Sequence, residues 1–169
     1  MPHLSLPSLW IIVLDIFAWA FFHLVISVIC LKMPLSVFLK DSVWFRLFAW
    51  EKSGKLWQRL FLVKKWKGRL VDGTAILKKG YGKKRLHGTG ISDLKVFAAE
   101  TKRAELTHWL SMAPAPLFFI WNPIWVGWIM IFYAGIFNLP FIIVQRYNRG
   151  RIDAITSGMN TRGTEALHE

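Results

Sequence analysis

The sequence predicts an all-α integral membrane protein with about three transmembrane helices and a basic amphipathic segment at the membrane surface. Hydrophobic residues make up 54% of the 169 residues, although the formal net charge is +12. These two properties fit together only if apolar and basic residues are separated along the chain. They are separated, because residues 9–31 contain Asp15 and His23 as their only acidic or basic side chains and residues 109–144 contain none.

The first apolar run, residues 9–31, is long enough to cross a bilayer as a helix. At about 1.5 Å per residue it extends roughly 34 Å, compared with about 30 Å for the hydrocarbon core. A cleaved signal peptide is disfavoured, because residues 1–8 contain no Lys or Arg and the run exceeds the usual ~7–15 residues of a signal core. We therefore predict a retained transmembrane helix.

Residues 32–103 are predicted to form a cytoplasmic and interfacial basic segment. They contain 18 Lys and Arg against five acidic residues, interleaved with aromatic side chains. Leu56, Leu60 and Val63 recur at helical spacing, which predicts an amphipathic helix with a basic face in the headgroup layer. Nucleic acid is the usual partner of such charge, but flanking membrane spans place it beside anionic lipid. We expect membrane lipids as partners and no nucleic acid.

Residues 104–144 are predicted to form a helical hairpin. Its arms, 104–121 and 124–144, are separated by an Asn-Pro pair, which is a turn signal. The first arm contains Pro114 and Pro116, so we expect an unwound or kinked segment there.

The distribution of Lys and Arg predicts the orientation, since positive charge flanking a span favours the cytoplasm. Positive charge lies in the basic segment and in residues 145–169, whereas the N-terminus and the turn of the hairpin are uncharged. The basic segment and residues 145–169, as a tail, are therefore predicted to lie in the cytoplasm. We therefore predict a single multi-pass domain, residues 1–169, in the cell membrane with its N-terminus outside. The oligomeric state stays open.

Glu105 and His108 are the candidate catalytic residues. They lie three residues apart and so share a face of the predicted helix. A histidine near a carboxylate can act as a general base, with the acid orienting the ring and stabilising its charged form. Alternatively, His108 is an interfacial histidine and Glu105 only pairs with Arg103 or Lys102, and the spacing leaves both interpretations open.

A second polar cluster, QRYNR at residues 145–149, follows the last apolar run. In a hairpin it lies near the start of the first arm, so the two polar blocks are expected to converge. Arginine binds phosphate or carboxylate with a forked pair of donors, and Asn or Gln can bind sugar hydroxyls. A positive-inside stop signal would explain the two arginines but not Gln145, Tyr147 and Asn148. The candidate substrate-binding residues are Arg103, Gln145, Arg146, Tyr147, Asn148 and Arg149.

No metal or nucleotide-loop motif is present. Cys30 is the only cysteine and the five histidines lack metal-ligand spacing, so we predict no metal site. The basic, glycine-containing stretch 80–90 matches neither phosphate-loop spacing, and a solvated loop is favoured over a site for the phosphates of a CoA-type donor. No serine-hydrolase elbow or zinc-protease motif occurs.

Three blocks resemble the glycosyl-4,4'-diaponeurosporenoate acyltransferases of the staphyloxanthin-type carotenoid pathway. They are FAWEKSGKLWQRLFLVKKWKGRLVDG, ETKRAELTHW and IFYAGIFNLPFIIVQRYNRGRI. The resemblance implies transfer of a fatty acyl group to a sugar hydroxyl of a carotenoid glycoside. Gly150 stands where the resemblance leads us to expect proline, and residues 78–93 are dissimilar. These departures concern the acceptor rather than the reaction type.

The resulting hypothesis is a membrane acyltransferase that uses a thioester donor, acyl-CoA or acyl-carrier protein, and has no permanently bound cofactor. His108 takes the proton of the acceptor hydroxyl and Glu105 orients His108. Arginines stabilise the oxyanion or hold the donor's phosphates, and amides position the sugar. The alternatives are a non-enzymatic scaffold or anionic-lipid-binding module, and an acyltransferase acting on another lipid or a protein. The residues assigned to these binding roles are Arg103, Arg146 and Arg149 for the charge, and Gln145 and Asn148 for the sugar.

Overall fold

The computed structural model describes residues 7–40, 42–70 and 90–165, of which 160–165 are described by their backbone alone. All regular structure in these ranges is helical, which confirms the all-α prediction for this part of the chain. The glycines and short β-prone runs of residues 67–90 predict a small hairpin or loop, most of which, residues 71–89, lies outside the described residues. The α-helices are α1 (Ser8–Lys32), α2 (Ser36–Leu39), α3 (Lys55–Phe61), α4 (Val63–Trp66), α5 (Ile91–Met112) and α6 (Ile124–Glu165). Short 3₁₀ helices are Val43–Phe45, Ala49–Gly54, Lys67–Arg69 and Ala115–Ile120.

Two helices in the described part of the chain are long and apolar enough to cross a membrane. They are α1 and the Ile124–Met159 part of α6. Helix α1 agrees with the predicted span at residues 9–31, whereas α6 continues to Glu165 although the predicted span ended at residue 144. The return of charge after residue 144 marks the end of the predicted span and not of the helix, because Gln and Arg favour helices.

The chain divides into two compact units. The first contains Met1–Met33 and Leu106–Ile142, and the second contains Pro34–Glu105 and Ile143–Glu169. Helices α5 and α6 each contribute one part to both units. The first unit therefore contains most of the uncharged sequence, and the second contains the basic segment and the QRYNR residues.

An aromatic core and one buried carboxylate organise the first unit. Trp19 of α1 stacks on Phe118, with ring centroids 4.7 Å apart. One turn earlier on α1, the buried Asp15 Oδ1 accepts hydrogen bonds from Trp121 Nε1 at 2.7 Å and Asn122 Nδ2 at 2.8 Å. Asp15 thus ties α1 to the turn that precedes α6.

The unwound segment predicted at Pro114 and Pro116 is confirmed. Helix α5 ends at Met112, and Ala115–Ile120 continues as a 3₁₀ helix. A proline lacks the N–H that an α-helical interior requires and clashes with the preceding turn. The tighter 3₁₀ geometry rises about 2.0 Å per residue, compared with about 1.5 Å in an α-helix, so the segment advances further per residue without being extended.

The prediction of one continuous amphipathic helix through Leu56, Leu60 and Val63 is wrong. Leu62 has a left-handed backbone with φ 49°, which ends α3 and separates it from α4. Lys52 and Ser53 are also left-handed, with φ 48° and 55°. Each such residue costs roughly 1–2 kcal/mol relative to the right-handed region, so tertiary contacts must hold this segment in place.

Two glycines permit a close backbone contact in the second unit. A Cβ added at Gly54, where φ is +82°, would lie 2.8 Å from the carbonyl oxygen of Tyr147. A Cβ added at Gly150 would lie 2.6 Å from both the Gly54 nitrogen and the Ser53 carbonyl carbon. Because the opposing atoms are backbone, they cannot rotate away. In this chain the missing side chain of Gly150 therefore lets α6 pass close to the left-handed turn.

We predict that Gly150→Ala destabilises the protein by about 1–3 kcal/mol, the usual range for overpacking, equivalent to roughly 2–12 °C in Tm for a chain of this length. Gly158→Ala is the matched control on α6, since no atom lies within 4 Å of its added Cβ. There alanine should be neutral or stabilising by up to about 1 kcal/mol, because glycine is a poor helix former. Thermal unfolding of the detergent-solubilised chain measures both, and equal Tm values for the two variants would contradict the close contact.

Candidate active site

Glu51 lies at the centre of a buried polar cluster in the second unit. Its side chain is fully buried. The carboxylate accepts hydrogen bonds from the Phe48 N–H at 2.9 Å, from Trp57 Nε1 at 2.7 Å, and from Nε and Nη2 of Arg146. Burial alone would raise the pKa of Glu51, but these hydrogen bonds outweigh burial and lower the pKa below its ordinary value.

Arg146 of α6 joins Glu51 to a second buried carboxylate, that of Glu105 on α5. Its Nη1 donates to Glu105 Oε1 at 2.8 Å, and Nη2 also donates to the Arg46 carbonyl at 3.2 Å. The guanidinium lies 5.5 Å from the centroid of the Phe48 ring, a distance typical of a cation–π contact. All three nitrogens of this side chain therefore bond to other groups of the protein.

Arg149 and Gln145 present buried polar atoms on one face of α6, since they are four residues apart. Arg149 is only 2% exposed, and its Nη1 lies 2.7 Å from Glu105 Oε2. Within the described residues, Nε and Nη2 of Arg149 and Oε1 of Gln145 have no hydrogen-bond partner. A buried polar atom left unsatisfied costs about 1–3 kcal/mol. These atoms are therefore suited to binding a polar group of a substrate.

The two polar blocks identified in the sequence meet at Glu105. Glu105 belongs to ETKRAELTHW, and its carboxylate contacts Arg146 and Arg149 of QRYNR. Glu51, which we did not select from the sequence, completes the cluster. Two carboxylates and two guanidinium groups balance in charge, so this cluster is neutral as a whole.

His108, in the first unit, is oriented by an amide. Its Nδ1 lies 3.0 Å from Asn138 Oδ1, while Asn138 Nδ2 donates to the Ala134 carbonyl at 2.9 Å. The second hydrogen bond assigns which end of the amide faces the ring. Nδ1 therefore carries the proton that is donated to Oδ1, and the lone pair of the neutral ring lies on Nε2. The ring also stacks on Phe141, with centroids 4.5 Å apart.

The remaining predicted substrate-binding residues have protein partners. Arg103 forms an ion pair with Glu100 on the same helix. Asn148 Oδ1 accepts a hydrogen bond from Lys67 Nζ at 3.0 Å, and the buried Tyr147 ring lies 5.0 Å from the same Nζ. The roles predicted for these residues, and for Glu105 and His108, stay predictions.

A family model described as "Glycosyl-4,4'-diaponeurosporenoate acyltransferase" matches residues 41–157, a range that includes the Glu51 cluster, His108 and Asn138. The chain belongs to this family. Among its relatives, the acyltransferase of that name from Staphylococcus aureus (strain MRSA252) is 38% identical over 86% of this chain and 87% of its own length. The one from Staphylococcus haemolyticus (strain JCSC1435) is 38% identical over 80% of this chain and 78% of its own length.

Membership of this acyltransferase family confirms the resemblance seen in the three sequence blocks and makes the protein an acyltransferase. No solved structure matches the chain.

Proposed function

We propose that this acyltransferase moves a fatty acyl group from a thioester donor to a sugar hydroxyl of a glycosylated carotenoid-type lipid at the membrane. The family match carries the proposal, because relatives aligned over 86% of the chain are named for glycosyl-4,4'-diaponeurosporenoate. The donor is acyl-CoA or acyl-carrier protein, whose thioester is activated for attack by an alcohol. Acylation of another lipid or a protein is the alternative within the same reaction type.

In this mechanism His108 is the general base. Nε2 takes the proton of the sugar hydroxyl while the hydroxyl oxygen attacks the thioester carbonyl carbon. The new C–O bond forms the tetrahedral intermediate, whose collapse breaks the C–S bond, and the departing thiolate recovers the proton from the imidazolium. Asn138 positions the ring through Nδ1, which supports the role of Nε2 as base. A positioned base contributes about 10²–10⁴-fold to the rate.

In this proposal Arg149 and Gln145 form a polar binding site within the second unit. Nε and Nη2 of Arg149, which have no partner among the described residues, donate to an oxygen of the substrate, and Gln145 Oε1 accepts a hydrogen bond from a hydroxyl of the sugar. Support comes from the burial of these atoms and from their lack of a partner among the described residues. Arg146 holds Glu51 and Glu105 in place and so positions Arg149 indirectly.

The topology that we propose has three crossings. In α1 and α6, 11% and 22% of the most apolar stretch is buried within the protein, which fits helices surrounded by lipid better than the core of a soluble domain. Because Glu51 and Glu105 contact Arg146, the basic segment and the start of residues 145–169 lie on one side of the membrane. If residues 124–144 cross once, residues 106–121 must cross back.

We assign the cytoplasmic side to the basic segment, following the positive-inside rule. The test uses single cysteines at the exposed positions Ser8 and Lys55 in a chain whose Cys30 is replaced by serine. A membrane-impermeant thiol reagent applied to intact cells should label position 8 and spare position 55. Labelling of position 55 but not of position 8 would show that the chain has the opposite orientation.

The function is tested by mass spectrometry of lipids from carotenoid-glycoside-producing cells that express the wild-type chain or His108→Ala at equal abundance. We expect acylated glycolipid, heavier by one fatty acyl group per sugar, with the wild type and at least about a hundredfold less with the variant. A non-enzymatic scaffold would give equal product with both chains. Acylation of a different lipid would appear as a mass shift in another class and would reject the carotenoid acceptor.

A further inference from the structure

Three cations form a patch in the second unit that the proposed chemistry does not use. The half-buried Lys67 donates to Asn148 Oδ1 and lies over the Tyr147 ring. Lys64 precedes Lys67 by three residues along a helical stretch, and Arg151 follows Asn148 by three and Tyr147 by four. Side chains at these spacings are neighbours on a helix surface, so Lys64 and Arg151 flank the Lys67 ammonium.

These three cations differ from Arg146 and Arg149 in having no anionic partner in the part of the chain that the structure describes. Among the described residues, none of Lys64, Lys67 and Arg151 forms an ion pair, whereas Glu51 and Glu105 neutralise the two arginines. Burial lowers the pKa of Lys67, and the charges of Lys64 and Arg151 lower it further. The patch is therefore electrostatically unfavourable by itself, and an anion would relieve the repulsion.

We propose that Lys67, Lys64 and Arg151 bind a phosphate group, carried either by the thioester donor or by an anionic lipid headgroup. Phosphate offers several acceptor oxygens to the ammonium donors and to the forked guanidinium. Asn148 and Tyr147 hold the Lys67 ammonium in a fixed position, which lowers the ordering cost of binding. A phosphate of the donor would therefore bind at this patch and not at Arg146 and Arg149, because Glu51 and Glu105 already compensate the charges of the two arginines.

The donor branch of this proposal rests on the proposed function, so its test measures binding without turnover. The purified full chain is placed in phosphatidylcholine nanodiscs and titrated calorimetrically with adenosine 3',5'-bisphosphate, the phosphate-bearing part of CoA. Lys67→Gln should weaken binding about tenfold, since each charge-assisted hydrogen bond contributes strongly. Arg151→Gln, at an exposed position, should also weaken it without affecting Tm. Lys65→Gln is the control, since it removes the same charge at an exposed neighbouring position and should change affinity less than twofold.

The second arm uses native mass spectrometry of detergent-solubilised protein with phosphatidylglycerol, comparing the lipid retained by the same three variants. An effect of Lys67→Gln and Arg151→Gln in the nucleotide arm identifies the donor, and one in the lipid arm identifies a headgroup. Either result supports the phosphate site. No binding in either arm, or equal losses with Lys65→Gln, overturns it. A chain that binds phosphate through Lys67 but transfers no acyl group would reject the proposed function and leave the phosphate site standing.

Discussion

Replacing His108 by alanine should lower kcat by about 10²–10⁴-fold, because the sugar hydroxyl would lose the group that accepts its proton. KM should change little if the ring acts mainly in the transition state. The measurement is acyl transfer by the purified chain in lipid vesicles, with a thioester donor and a glycosylated lipid acceptor. A variant that retains more than half of the wild-type turnover would exclude His108 as the base and favour the interfacial alternative.

Variants of Asn138 separate the positioning of His108 from a general loss of structure. Asn138→Leu removes the acceptor of the Nδ1 hydrogen bond, so the ring is no longer restricted to the tautomer with its lone pair on Nε2. We expect a lower kcat with a nearly unchanged KM. Asn138→Asp retains an acceptor oxygen and should recover part of the activity. Equal losses in both variants, accompanied by equal falls in Tm, would indicate a purely structural role.

The helical class and the two long apolar helices could be predicted because they depend on local sequence. An apolar run long enough to cross a bilayer predicts α1 and the start of α6, and the prolines at 114 and 116 predict the end of α5 before them. The break between α3 and α4 could not be predicted, because Leu62 is an unusual residue for a left-handed backbone. Tertiary contacts override the local preference there.

The site was only partly predictable, because its contacts connect residues that are distant in sequence. Glu105, Arg146 and Arg149 could be selected because they are polar residues beside apolar runs. Glu51 could not, because it lies among the many charged residues of the basic segment. Its contact with Arg146 joins positions 95 residues apart, which no local periodicity reveals. Asn138 did have a signal, since an amide within an uncharged membrane-length run usually faces a polar partner.

The three blocks that carry the family resemblance are also those that contact one another in the second unit. Glu51 and Gly54 lie in the first block, Glu105 in the second, and Arg146 and Gly150 in the third. The left-handed turn after Glu51 lies against α6 at Gly150, close along the chain to Arg146, which holds the Glu51 carboxylate. Backbone packing and the buried ion pairs are therefore parts of one arrangement.

Glu51→Ala should be among the most destabilising single changes outside the spans. It would leave the partly buried Arg146 with one of its two carboxylates removed, and it would leave the Phe48 N–H and Trp57 Nε1 without their acceptor. Breaking a buried ion pair on one side costs about 3–5 kcal/mol, which corresponds to roughly 6–20 °C in Tm for a chain of 150–250 residues. Thermal unfolding in detergent measures this loss. Asp153→Ala, which removes an exposed carboxylate from α6, should cost less than about 1 kcal/mol.

The pH dependence of unfolding tests the charge of Glu51 separately from its packing. Its pKa in the folded chain lies below the ordinary value of 4.5, so the folded state binds the proton less tightly than the unfolded state does. The resulting stability is fully present above pH 4.5 and is lost as the pH falls through the lower, folded-state pKa. Glu51→Gln keeps the shape of the side chain but cannot titrate. It should therefore lower Tm at neutral pH and show a shallower fall of Tm with acidification than the wild type, whereas parallel curves would show that Glu51 contributes through packing alone.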